Sequence, residues 1–97
     1  MRAISWCSFI TGKDEQARGY YKRLMEMPNP SFEDFLNAGH VEWVTHNNAI
    51  AIELYIKAKE ACGSADKVAQ HIMHDKEALT SRGVSEKELL LLRDLIV

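Results

Sequence analysis

Gly12, the Pro28-Asn29-Pro30 segment, Gly39, Gly63 and Gly83 cut this chain into pieces of helical length. Glycine and proline are the strongest local breaks in a polypeptide, so these positions limit which elements can form. Between them the apolar residues recur at helical rather than strand spacing. Ala17, Tyr20, Tyr21, Leu24 and Met27 follow the i, i+3, i+4, i+7 rule over residues 13–27, which predicts one apolar helix face. Thr11 is placed to cap that helix, with Asp14 in an imperfect capping box. Pro28 ends it, and Ser31 opens a short helix buried through Phe32, Phe35 and Leu36 as far as Gly39.

The piece from residue 40 to 62 reads as one central helix about 34 Å long. Projected at helical spacing, Glu42, His46, Glu53, Lys57 and Glu60 share a narrow polar sector, and apolar residues spread round the rest. A helix covered on that many sides sits in the middle of a bundle. Asn47 falls inside the apolar arc, which predicts a hydrogen-bonded amide, satisfied in the core or tethering a loop, or else a register-fixing residue in a helix–helix interface. A second amphipathic helix is expected over residues 64–82, with Val68, Ala69, Ile72 and Leu79 buried and Gly83 as its left-handed cap. The last helix has the clearest local signal: Ser85 and Glu88 form a capping box, and Val84 and Leu89 a hydrophobic staple. Residues 1–10 alternate ambiguously and suit a short helix or a buried strand equally.

The expected architecture is all-α, a single helical domain over residues 1–97 with four to five helices around the long central one. Composition agrees: 46% hydrophobic and 27% charged residues are the balance of an ordinary globular protein. Cys7 and Cys62 form no C-x-x-C pair, so neither a disulfide framework nor a zinc knuckle is expected, and a reducing cytoplasm is the simplest home. No stretch approaches the apolar length of a membrane span. Net charge is −2; residues 1–30 carry five Lys/Arg against three Asp/Glu, and residues 31–62 two against five. Neither imbalance is large enough to announce nucleic acid or a membrane surface.

Chemistry-bearing patterns are sparse. His71 and His74 are spaced i, i+3 beside Asp75, but the Glu-x-x-His spacing of helical carboxylate metal sites is absent. Both histidines project away from their helix's apolar stripe, so no metal site and no cofactor is expected, and a helical-bundle metal-binding protein stands as a third alternative only. Cys62 lies near a helix C-terminus, where the dipole opposes a thiolate, and no nucleophile elbow, phosphate loop or H-E-x-x-H occurs. No catalytic residue is assigned.

Residues 61–84 look like a helix-turn-helix, with Gly63, then Asp66-Lys67-Val68-Ala69-Gln70, Ala69 at the small buried position and Val68, Ile72 and Leu79 at core positions. That resemblance implies a small DNA-binding regulator using residues 63–83. Met73 stands in place of the turn glycine and His74 in place of the apolar residue after it, and a continuous helix suits the same residues. The favoured expectation is a non-catalytic module of adaptor, regulator or inhibitor type. It would bind a protein partner, or a second copy of itself, through helix faces. Tyr20, Tyr21, Asn47, Leu91, Leu92, Leu95 and Ile96 are the candidate interface, because tyrosine is common at interfaces and the leucines exceed what one stripe can bury.

Overall fold

The computed structural model describes residues 2–28 and 30–96, with the side chains of residues 2, 3, 95 and 96 left undescribed. Among the described residues there are seven helices and no strand: α1 (Arg2–Ile10), α2 (Asp14–Glu26), α3 (Phe32–Val44), α4 (Asn48–Cys62), α5 (Ala65–His74), α6 (Lys76–Ser81) and α7 (Glu86–Ile96). The all-α class stands. Of the ambiguous first ten residues, 2–10 are helical; two expected helices break, but only the break within the expected 64–82 helix adds an element, α6.

The first break divides the expected central helix. Its N-terminal part joins the short helix from Ser31, so α3 runs straight through Gly39. Ser31 and Asp34 form the reciprocal capping box that starts α3. Gly39 does not end this helix; it admits Tyr55 of α4. A Cβ there would lie 2.8 Å from Tyr55 Cε1, a distance that ring cannot allow. The chain reverses at residues 45–47, where His46 takes a left-handed conformation at φ 68°. That conformation is uncommon for a side-chain-bearing residue. Asn47 consequently occupies the N-cap of α4, exposed, instead of the middle of a helix. The second break is at Asp75, between α5 and α6.

Each helix packs chiefly on its neighbours in sequence, the α3–α4 hairpin most extensively, while α7 lies on α5 and α4. Arg82, at the end of α6, closes the bundle against its beginning. Its guanidinium donates to the Phe9 carbonyl at 2.6 Å and to Asp14 Oδ2 at 2.7 Å, and stands over the Phe9 ring. The core draws on every helix: Phe9, Tyr21, Leu24, Leu36, Val41, Tyr55, Ile72, Leu79, Leu89 and Leu92 are all buried. The radius of gyration is 12.1 Å, in the range expected for a chain of this size. No helix among the described residues is long and apolar enough to cross a membrane.

Local caps differ from expectation in two places. Thr11 does not cap α2; Lys13 holds that position, and the Thr11 hydroxyl donates back to the Cys7 and Ser8 carbonyls. Ser85 accepts from the Glu88 amide as expected, but the Glu88 carboxylate takes the indole N–H of Trp43 at 3.1 Å. Half of the box is thus spent on joining α7 to α3. Gly63, at φ 75°, ends α4 with its amide on the Lys59 carbonyl, the left-handed closure that glycine makes without a Cβ penalty.

Candidate functional site

Asp75, at the break between α5 and α6, joins a polar chain that runs through α3 and α4. His40 is fully buried, and its two ring nitrogens are both engaged. Nε2 meets Asp75 Oδ2 at 3.0 Å and Nδ1 meets the Tyr55 hydroxyl at 2.7 Å. A carboxylate can only accept, so Nε2 carries a proton and donates to Asp75. With the imidazole neutral, the Tyr55 hydroxyl then donates to Nδ1. Burial, and after it the charge of Asp75, hold the Tyr55 hydroxyl well above the ordinary phenol range, which keeps the proton that this chain needs. A buried imidazole with either nitrogen unpaired would cost about 1–3 kcal/mol, so the three groups stand or fall together.

Asp75 carries the chain to the surface. Its side chain is 16% exposed and forms part of the wall of a cleft of about 440 Å³. Trp6 of α1, Glu33, Leu36 and Asn37 of α3, and Gln70, His71 and His74 of α5 complete the lining. His74 Nδ1 stands 3.6 Å from Asp75 Oδ1, beyond hydrogen-bond distance. His71, expected to be solvated, is half-buried, edge-on to Phe32 at 5.0 Å between ring centres. His74 is exposed. Among the described residues no three His, Cys, Asp or Glu side chains are placed to hold a metal ion.

A second polar network secures the α3–α4 turn. Glu42 is buried, not on a polar surface, and accepts from Arg18 Nε at 2.7 Å and from Asn47 Nδ2 at 2.9 Å. Arg18 reaches Thr45 Oγ1 as well. The hydrogen bond that Arg18 donates to Glu42 is the main cause that raises the Arg18 pKa above its usual value. Asn47 is therefore hydrogen-bonded as expected, in the loop-tethering rather than the core form of that expectation.

The candidate interface residues do not form one surface. Tyr21 and Leu92 are core residues, and Tyr20 is half-buried. The Tyr21 hydroxyl is buried with no hydrogen-bond partner among the described residues, and burial together with the charges of Asp34 and Asp75 pushes its pKa up. Leu91 is 60% exposed, and its neighbour Leu90 45%. Leu95 and Ile96 lie outside the described side chains. The expected all-round apolar α7 thus divides: Leu89 and Leu92 face the bundle, whereas Leu90 and Leu91 face out.

Residues 63–83 place Val68, Ala69, Ile72 and Leu79 in the core, as the helix-turn-helix resemblance implies. The connection between α5 and α6 is a single residue, however, and α6 has only six. His40 carries the most organised chemistry in the molecule and sequence reasoning did not single it out. The available signal was a histidine next to a mid-helix glycine, fifteen residues before a tyrosine. Comparisons with protein-family models, with curated proteins and with solved structures found no match to this chain.

Proposed function

We propose that this chain is a non-catalytic binding module that works through helix-face contacts, first of all between two copies of itself along the outer side of α7. The observation that supports this reading is the pair Leu90 and Leu91, 45% and 60% exposed on a helix whose inner edge alone is buried. Isolated exposed leucines are common on monomers. Here two large aliphatics stand together on α7, and a twofold interface would set this pair against the same pair of a second copy, the commonest closed solution for a small chain.

Sedimentation velocity at micromolar concentration tests the proposal. A species of about twice the 11.1 kDa chain mass is expected. Leu91→Glu should convert it to monomer while moving stability by no more than about 0.5 kcal/mol, as befits an exposed position. A wild-type protein that sediments as a monomer throughout that range overturns the reading.

A further inference from the structure

The cleft between α1, α3 and α5 has the chemistry of a receptor for one kind of small group. Its volume of about 440 Å³ lies within the range of small-molecule pockets. Two carboxylates line it, Glu33 and Asp75, with no lysine or arginine among the described lining residues. Counting the histidines as neutral, its formal charge is −2. The nearest lysine in sequence, Lys76, turns instead to Glu86 at 2.9 Å.

The hydrogen-bonding capacity on offer points the same way. Asp75 Oδ2 is held by His40, which fixes the carboxylate, while Oδ1, with His74 Nδ1 at 3.6 Å, has no donor within hydrogen-bond distance among the described residues. Glu33 is exposed and has no ion pair or hydrogen bond among the described residues. Asn37 and Gln70 add side-chain amides, which can accept or donate, to the same wall. The cleft thus has acceptors to spare, and Trp6 supplies an aromatic face, half-buried and braced by Phe9 at 5.4 Å between ring centres. Carboxylates beside an indole recognise a cation that donates several hydrogen bonds and carries an apolar stem. An anion would meet two like charges, and a metal ion would lack its third ligand.

We infer that this cleft binds an organic cation, an alkyl-ammonium or alkyl-guanidinium group. Its carboxylates would be Glu33 and Asp75, its aromatic wall Trp6. Such a group occurs in free polyamines and in the lysine and arginine side chains of peptides, so both sources enter the test. The inference stands independently of self-association, because the cleft and α7 share no residue.

Proton–nitrogen correlation spectra would be recorded while spermidine, a short arginine-containing peptide or citrate is added to the intact protein. Saturating shifts of the Trp6 indole and of the Asn37 and Gln70 side-chain amides are expected with spermidine, with the peptide or with both. Saturation by one alone identifies the source. Citrate should leave these signals in place. Glu33→Gln should weaken binding about tenfold, the equivalent of one lost charge-assisted contact. It should leave the fold in place, since Glu33 is exposed and has no hydrogen bond or ion pair among the described residues beyond its favourable position in the first turn of α3. Asp75→Asn keeps an acceptor for His40 and should weaken binding at least as much. The inference fails if neither cation produces a saturating shift by about 10 mM, where binding would be weaker than about 3 kcal/mol. It fails equally if citrate competes at the same signals, or if both variants bind as tightly as the parent.

Discussion

The α3–α4 hairpin and α7 are both helical, both carry buried large side chains, and are specified in opposite ways. In α7 the instructions are local: Ser85 caps the Glu88 amide three residues on, and Val84 and Leu89 bracket the entry. In the hairpin they are distant. Gly39 is small because Tyr55 must lie on it, and Tyr55 is held in turn by His40, fifteen residues away. The difference teaches where a substitution will be felt. Glu88 apart, which holds the Trp43 indole, a change in α7 costs what its own atoms contribute, whereas a change in the hairpin strands partners that nothing else can satisfy.

The largest effect should come from Tyr55→Ala. It removes a fully buried ring and leaves His40 Nδ1 without its partner, so a loss of about 3–5 kcal/mol in denaturant unfolding is expected. A loss below about 1 kcal/mol would mean that the hairpin is not the rigid centre of the fold. Gly39→Val comes next. The added atoms meet the Tyr55 ring, which cannot withdraw while bonded to His40, and overpacking of this kind costs about 1–3 kcal/mol. An unchanged midpoint would show that the ring has room to shift, which removes the proposed reason for a glycine inside α3. Smallest is Ser85→Ala, at about 0.5–2 kcal/mol for a lost cap. A cost as large as that of Tyr55→Ala would erase the contrast between local and distant specification.

Much of the fold was legible in the sequence because amphipathic spacing is a local property. The apolar stripes of α2 and α5, the Gly63 and Gly83 stops and the Ser31 and Ser85 starts each depend on residues within a turn or two of one another. The break at residues 45–47 was not legible. A projection of residues 40–62 shows apolar side chains all round, and it cannot tell a surrounded helix from two helices that face different neighbours. Asn47 was misplaced for the same reason. Nothing in its immediate neighbourhood says that Glu42, drawn inward by Arg18 from another helix, is waiting to accept from it. The interface residues show the limit from the other side. Tyr21 and Leu92 are interior and Leu91 is exposed, although all three belong to apolar runs of similar appearance.

By itself, then, the sequence determined an all-α chain, where most of its helices begin and end, and that no familiar catalytic motif is present. Capping, helical periodicity and glycine's tolerance of left-handed backbone are all decided within a few residues. Only the tertiary structure decided which apolar face is covered, where the two long helices break, and that His40 joins Tyr55 to Asp75 at the edge of a cleft. Those outcomes depend on buried polar groups finding partners 15 and 35 residues away, and the cost of leaving such groups unpaired overrides any local preference.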